Sequence, residues 1–403
     1  MPFPVTYVLD KLAPSETFIR RELEQLRCRN WTIHTRVLNG DVDPLSFALS
    51  RCPKGFRLRF ARAALKRLTE EAARSPVAAG RILKRLSQAA DLVRKVADDK
   101  SPLIHAHFAG ITADLASIAA QTLGVRWTCA VHAQDVFTAS AAPLRRRLRT
   151  AAGIVACSQL AADAVVAADI SPENVRVIRH GLPLSDFVFH TPRGGNTLFT
   201  ACRLEEKKGI DTLLLACELL MERGIPFRCI IAGTGPLLIP LKTLCSRLKL
   251  DNLVQFAGWQ SQEETRAGIA KASALVLPSR RTADGDRDGI ANILLEAMAL
   301  GTPVVTTAAG AAGEAIVDQV NGLLVPPDSP TALANALATV LNDNALPPRL
   351  AHAARATVEE HFDGAKNIRP LESFFTQAAG LPAAPQPPTP DAQTPEPPPV
   401  PPA

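Results

Sequence analysis

Four carboxylates crowd one stretch of eighteen residues, DGDRDGIANILLEAMALG, running from Asp284 to Gly301. The alternation of Asp284, Asp286 and Asp288 before Gly289 starts like a calcium loop, but the closing bidentate Glu of such a loop falls on Leu295. Glu296 stands one residue on, and one step along a helix turns a side chain by about 100°. The residues before the loop, Ala274 to Pro278, are a short apolar run ending in proline, which reads as a buried strand. Asp284 and Asp286 also form a D-x-D pair of the kind that holds a metal under a nucleotide. A third reading sets Asp288 and Glu296 on an organic ligand. Glu296 lies among apolar residues of a helix, where an unpartnered carboxylate is costly. Paired hydroxyls, as on a ribose, would satisfy both its oxygens; the alternative is a Glu on a narrow solvated stripe. Asp288 precedes the helix and can point into a cleft, with the free N–H groups of the first turn around Gly289, Ile290 and Ala291 facing the same space.

Two further stretches suit phosphate. In ACRLEEKKGID, Arg203 and Lys208 stand between the end of a strand and the start of a helix. Two cations beside a helix N-terminus make an anion site of the right size for a diphosphate; the alternative is a solvated loop in which they pair with Glu205 and Glu206. In IAGTGPL, Gly233 and Gly235 shape a tight turn where backbone can approach a ligand closely. One carboxylate for ribose, one for a sugar, and amides with cations for phosphates together describe a nucleotide-sugar site. A dinucleotide is poorly supported, because Gly233-Thr234-Gly235 lacks its third glycine and the first strand runs into DKLAPSETF with no G-x-G.

The elements that must position these residues alternate. Strands are expected at Val5–Leu9, Trp31–Leu38, Leu103–Ala106, Trp127–Val131, Gly153–Ala156 and Val175–Ile178. A second series is expected at Thr197–Cys202, Phe227–Ala232, Leu253–Phe256, Ala274–Leu277, Pro303–Thr306 and Leu323–Val325. Helical patterns lie between most of them, beginning with one that Ser15 can cap and that sets Ile19, Leu23 and Leu26 on one face. Two successive series of this kind predict an α/β protein of two doubly wound Rossmann-like domains facing across a cleft, with ligands at the carboxyl ends of the strands. The expected boundaries are 1–186 for the first domain, 187–195 for a linker and 196–355 for the second domain. A C-terminal helix at 356–380 packs back on the first domain, and a tail follows at 381–403.

Composition bounds the rest. The chain has 403 residues, 47% of them hydrophobic and 21% charged, as in an ordinary globular protein with ample core. No apolar run is long enough to span a bilayer, and MPFPVTYVLD lacks the basic start and apolar core of a secretory signal. Eight scattered cysteines without a C-x-x-C argue for a reducing, cytoplasmic setting. Charge is uneven: between Arg51 and Lys95 stand 13 Lys/Arg against 3 acids, in a chain whose net charge is +6. This basic segment, 51–100, reads as helical, with Leu58, Ala61, Leu65 and Leu68, then Ile82, Leu86, Ala89 and Val93, at helix spacing. It is either a solvated surface or a dock for anionic lipid headgroups; few aromatics speak for nucleic acid. The Pro-rich tail cannot bury enough surface to fold.

These residues resemble the family 4 glycosyltransferases of GT-B fold, retaining enzymes that use nucleotide-diphosphate sugars. The likeness runs from Tyr7 to about Phe375, and its signature is the pair of acids eight apart in DGIANILLEAMALGTPVV. It implies that Glu296 binds the donor's ribose, that Asp288 contacts the donor sugar's hydroxyls, and that Arg203 and Lys208 grip the diphosphate. VIRHGLPLSDF and VQFAGWQSQEE also look like family segments. YVLDKLAPSETFIRRELEQL, HAHFAG and HAQDVF are similar to bacterial exopolysaccharide transferases of the colanic acid type. By that likeness His132 lies near the reacting sugar, the alternative being a satisfied core histidine; the acceptor is expected on the first domain, against Ser15, Glu16, His107 and Asp135. The expectation is a hexosyltransferase that needs no metal or other cofactor, so D-x-D carries no ion. It builds exopolysaccharide or a cell-surface glycan on a saccharide acceptor carried by a lipid, at the inner face of the plasma membrane. Two positions depart from the family: Asp288 is usually Glu, and Ala291 is commonly Pro, which bears on the donor sugar. Rival readings are a silent scaffold that only binds nucleotide sugar and a nucleotide-sugar 2-epimerase. The latter would need acid/base carboxylates in the first domain, which the sequence does not display.

Overall fold

The computed structural model describes residues 3–10, 16–38, 45–73, 75–138, 140–192 and 194–381. The expected helix cap Ser15 and the tail 382–403 lie outside the described residues.

Two six-stranded parallel sheets form the frame. The first holds β1 (Val5–Leu9), β2 (Ile33–Val37), β3 (Leu103–His107), β4 (Arg126–Val131), β5 (Gly153–Ala156) and β6 (Val175–Val177), in the order β2-β1-β3-β4-β5-β6. The second holds β7 (Thr197–Ala201), β8 (Arg228–Ala232), β9 (Val254–Gly258), β10 (Ala274–Leu277), β11 (Val304–Thr307) and β12 (Leu323–Val325), in the order β12-β11-β10-β7-β8-β9. Every residue of β1, β3, β5, β10 and β11 is buried, because helices cover both faces of a parallel sheet. That double burial is why β5 and β10 read as unbroken apolar runs, while β1, β3 and β11 carry Thr6, His105, His107, Thr306 and Thr307 into the interior. The order reverses beside the first strand of each sheet, so the crevices that can take ligands open at the carboxyl ends of β1, β3 and β4 on one side and of β7 and β10 on the other.

The helix Thr17–Cys28 turns Ile19, Leu23 and Leu26 inward onto β1, as its spacing predicts, and Glu16 occupies its N-cap position. At the other end, the expected single helix is two, Leu346–His361 and Gly364–Ala379. The second of these buries Ile368, Leu371, Phe374 and Phe375 against Val5, Tyr7 and Leu9 of the first domain.

The basic segment forms the helices Arg57–Ala72, Pro76–Leu83 and Leu86–Asp99. Ile82, Leu86, Ala89 and Val93 are core, but the Leu58 to Leu68 stripe is divided: Leu68 packs against the core while Leu58 and Leu65 do not face inward. Leu58 and Leu65 are 66% and 63% exposed, and the buried face is Phe60, Ala63, Ala64, Arg67 and Glu71. The reason is electrostatic. Arg67 pairs with Asp114, and Arg146 reaches Glu71 through two bonds of 2.6 and 2.7 Å. Satisfied in this way, the charges of this helix sit inside and two leucines point out.

Candidate active site

The second domain's wall is built from loops at the carboxyl ends of its strands. After β7 the chain makes a 3-10 turn, Glu206–Lys208, and Lys208 Nζ donates to both oxygens of Asp288 at 2.8 and 2.7 Å. Ser279, just past β10, donates to Asp288 Oδ2 at 2.7 Å. Burial would raise the Asp288 pKa, but Lys208 and Ser279 overcome it and hold the carboxyl below its usual range. Lys208 is held above its own range by the same carboxylate, against the opposing pull of burial. Lys207 pairs with Asp286 at 2.9 Å, while Asp284 is exposed and bonded to Thr282, so the D-x-D pair does not converge on one point.

Arg203 stands apart: it is exposed and pairs with Glu205 at 3.1 Å, the solvated arrangement that sequence left open for both cations. Gly233 and Gly235 have a reason other than ligand approach. A Cβ at Gly233, whose φ is +120°, would stand 1.9 Å from the Cys202 carbonyl oxygen, and one at Gly235 would stand 2.5 Å from that of Leu204. The close approach is therefore between two loops of the protein, which sets the path of the Cys202–Lys208 segment. Gly310, after β11, was not legible as a site residue. A Cβ there would meet the Asp288 carbonyl oxygen at 2.0 Å, so this glycine lets the Asp288 backbone seat itself.

Glu296 lies on the helix Asn292–Leu300, which begins just after Gly289, Ile290 and Ala291. Its oxygens are not waiting for a ligand alone: Oε1 accepts from Arg21 of the first domain at 2.8 Å, with both side chains nearly buried. Nothing in the local sequence marks Arg21, because the two residues are 275 positions apart.

The first domain's wall is made of histidines. His107 ends β3, His132 follows β4, and His180 lies beyond β6. The His132 ring lies between those of His107 and His180 and nearly parallel to both, with both pairs of centroids 5.6 Å apart. His132 is also the N-cap residue of the short helix Ala133–Phe137, and its main-chain N–H donates to the Asp135 carboxylate at 2.9 Å. Burial pushes His132 well below the usual imidazole range and takes His180 down to about 4 and His105 to about 3. Asp135 is raised by burial to about 6. Sequence reasoning missed Glu22, a carboxylate under this wall. It accepts from Tyr7 Oη at 2.9 Å and lies 3.2 Å from His107 Nε2. Burial works to raise its pKa, but His107, His105 and His180 hold it at about 2.

The two walls meet. A Cβ at Gly289 would stand 3.7 Å from Ala133 Cβ and 4.0 Å from Cys157 Sγ, and the Arg287 guanidinium lies over the Phe137 ring at 4.1 Å. Glu314 of the second domain accepts from the main-chain N–H groups of Gln159 and Leu160, each at 2.8 Å. Among the described residues, two groups have ligand atoms close enough to hold a metal: Glu22, His105 and His107, and His132, Cys157 and His180, with ligand atoms within 4.8 Å of one another in each.

Comparison with known proteins agrees with this arrangement. The family model Glycosyltransferase Family 4 matches residues 29–186 and Glycosyl transferases group 1 matches residues 185–357, one directly after the other. The putative colanic acid biosynthesis glycosyltransferase WcaL of Escherichia coli is 34% identical over 50% of this chain and 51% of its own length. The amylovoran biosynthesis glycosyltransferase AmsK of Erwinia amylovora is 33% identical over 53% of this chain and 54% of its own. The chain thus matches about half the length of these curated relatives. Among solved structures, HepE of Anabaena with UDP and glucose superposes with a TM-score of 0.70 at 18% identity, over 93% of this chain and 100% of that one. Sucrose-phosphate synthase of Thermosynechococcus elongatus gives 0.71 at 21% identity, over 93% and 98%. The two facing sheets are the GT-B fold.

Proposed function

The chain belongs to the family 4 glycosyltransferases, and from that premise we propose that it moves a sugar, with retention, from a nucleotide-diphosphate sugar to a lipid-linked saccharide in exopolysaccharide or cell-surface glycan synthesis. The observation that carries this reading is the Lys208–Asp288–Ser279 cluster at the carboxyl ends of β7 and β10, set across a narrow cleft from His132. A cation beside a carboxylate is what a sugar diphosphate needs: one group for developing phosphate charge, the other for sugar hydroxyls.

As the bond from sugar to diphosphate breaks, the sugar becomes oxocarbenium-like and negative charge gathers on the phosphate. Lys208, Arg203 and the amides around Gly289, Ile290 and Ala291 stabilise that charge, a preorganised electrostatic contribution that dominates such catalysis. Glu296 takes the ribose hydroxyls after Arg21 yields them. The acceptor hydroxyl attacks from the face the diphosphate leaves, and its proton passes to the departing phosphate oxygen. No residue of this scheme requires a metal or other cofactor. The acceptor enters along the first domain by Glu16 and Asp135; His107, expected on this path, is fully buried with its ring nitrogens turned to Glu22 and His132, and does not line it. The relatives named for colanic acid and amylovoran synthesis, and the neighbour that holds UDP and glucose, support the donor and acceptor classes.

Among the described residues no helix is long and apolar enough to cross a membrane. The lipid-linked acceptor is met at a surface instead. Leu58, Leu65, Val77 and Leu83 stand exposed among Arg57, Arg59, Arg62, Lys66, Arg81 and Lys84. Each basic residue near an anionic bilayer contributes about 1 kcal/mol. Leu58→Glu with Leu65→Glu should release the protein from anionic vesicles, and a wild type that stays in solution with such vesicles at low salt would remove the membrane part of the proposal.

The transfer itself is tested by thermal shift against UDP, GDP and ADP, followed by incubation with sugar donors of the base that stabilises. Slow release of nucleoside diphosphate, with the sugar's anomeric configuration kept, is expected. Binding without any turnover would make the protein a scaffold, and no binding of any of the three would end the reading.

A further inference from the structure

Charge pairing on the second-domain wall leaves two cations over, and both lie on one loop. Between Ser279 and Gly289 the three carboxylates are all committed. Asp284 accepts from Thr282, Asp286 from Lys207, and Asp288 from Lys208 and Ser279. Arg280 also has its acids, Asp211 at 2.6 Å and Asp328 at 2.8 Å. Arg281 and Arg287 have no hydrogen-bond or ion-pair partner among the described residues. The Nε of Arg287 is buried, so a donor of a permanently charged group is left unsatisfied.

The loop sets these two side chains at the boundary between the domains. Gly285, with a φ of +91°, lets it lie close against the first domain: a Cβ there would stand 2.9 Å from the Phe137 carbonyl oxygen. The same Cβ position is 3.8 Å from the Arg281 guanidinium. Two residues on, Arg287 carries its guanidinium 4.1 Å from the centre of the Phe137 ring. Asp288, the next residue, turns the opposite way, to Lys208 and Ser279 of its own domain. The loop thus gives a carboxylate to the donor side and an arginine to the wall along which the acceptor is proposed to enter. Burial and the neighbouring Arg281 charge both press the Arg287 pKa downward. A guanidinium stays protonated all the same, so relief has to come from a counter-charge. Carried on an aromatic face, it keeps N–H donors free for carboxylate or phosphate oxygens.

We propose that Arg287, with Arg281 beside it and Phe137 beneath it, forms an oxyanion subsite for an acidic group of the acceptor, a phosphate or a carboxylate. Its assignment to the acceptor rests on the transferase reading, whereas the anion site itself does not. The donor's diphosphate is left to Lys208, on the side to which Asp288 turns.

The test fills the donor site first. With the nucleoside diphosphate that stabilises the protein held at saturation, geranyl diphosphate and methyl glucuronide are titrated separately by calorimetry. Wild type should bind one or both. Binding of the first names a lipid phosphate as the source of the charge, and binding of the second a sugar carboxylate. Arg287→Ala should weaken that binding about ten- to hundredfold, the range for hydrogen bonds to a charged group. Arg281 is exposed, so Arg281→Ala should cost less, about two- to fivefold. Arg287→Lys keeps the charge without the fork and should fall between wild type and Arg287→Ala. All three variants should bind the bare nucleoside diphosphate as wild type does. If Arg287→Ala does not fold, Phe137→Leu, which removes the ring but no charge, should also weaken the anion. Failure of both anions to bind wild type would overturn the proposal. So would equal binding by wild type and Arg287→Ala, which would leave the arginine as a clamp between the domains. Loss of the bare nucleoside diphosphate in Arg287→Ala would overturn it too, since Arg287 would then belong to the donor site. If wild type binds no nucleoside diphosphate, the transferase reading fails instead, and the two anions titrated on the free protein still decide the subsite.

Discussion

The two walls of the cleft hold their polar groups in opposite ways. On the second domain, carboxylates and cations are present in matched pairs: Asp288 with Lys208, Asp286 with Lys207, and Glu296 with an arginine borrowed from across the gap. On the first domain, the groups at the cleft are neutral imidazoles, with one ionised carboxylate beneath them. A ligand that carries phosphate and hydroxyls can exchange partners with ion pairs, whereas it can only lean on neutral rings. The comparison therefore assigns donor binding to one wall and sugar placement to the other.

Removing a pair from the charged wall should have the largest effect. Asp288→Asn is expected to lower transfer by about ten- to a thousandfold, since a contact to the developing oxocarbenium-side sugar is lost in a dry site. Binding of the bare nucleoside diphosphate should stay nearly intact, as calorimetry would show. Lys208→Ala should do more harm to the fold, because it leaves Asp288 buried with Ser279 and without its directly bonded cation. Breaking a buried pair in this way costs about 3–5 kcal/mol, readable in a urea titration. Arg203→Ala, by contrast, removes an exposed side chain whose pair with Glu205 is worth little, at most about 1 kcal/mol. A stability loss for Arg203→Ala equal to that for Lys208→Ala would dissolve the distinction drawn between the two cations.

Next in size is the contact that joins the walls. Arg21 occupies Glu296 where ribose is proposed to bind, so Arg21→Ala should tighten nucleoside diphosphate binding by about tenfold, as one charge-assisted hydrogen bond no longer has to be displaced. Glu296→Gln should weaken it. If Arg21→Ala weakens binding as much as Glu296→Gln does, Arg21 belongs to the donor site and does not compete for it.

The smallest effect separates the walls by pH. The folded pKa values of His105, His132 and His180 lie below the unfolded value near 6.5. As pH falls from 6.5, the unfolded chain takes up protons that the folded wall refuses, so stability is lost. Asp135, raised to about 6, works against this between pH 6 and 4, but it is one group against three. Asp288 is lowered from a carboxylate value and adds its own loss only in stronger acid. The melting temperature should therefore drop between pH 7 and pH 5, and His180→Gln should drop less. A flat wild-type profile over that window would mean that the first wall is not held neutral.

Much of this was legible in the chain. All twelve expected strands are present to within two residues at their ends, because each is a short run rich in strand-forming residues set between turns and helical spacing. Asp288 and Lys208 could be picked out as charges at the edges of apolar elements, and Glu296 as a charge in the middle of one. The Leu58 stripe misled because helix spacing shows that a face exists without showing which face is buried. There the interior is lined by Arg67 and Glu71, whose partners Asp114 and Arg146 come from other elements.

What the sequence determined by itself is the architecture and the supply of chemistry: two parallel sheets, and cations, carboxylates and histidines at the carboxyl ends of their strands. Those features are set by periods of two and 3.6 residues and by neighbours in the chain. What only the tertiary structure decided is which charge meets which. Lys208 finds Asp288 over 80 positions, Glu22 reaches His107 over 85, and Arg21 reaches Glu296 over 275. No local pattern encodes such pairings, since each depends on how two packed layers bring distant strand ends to the same few ångströms.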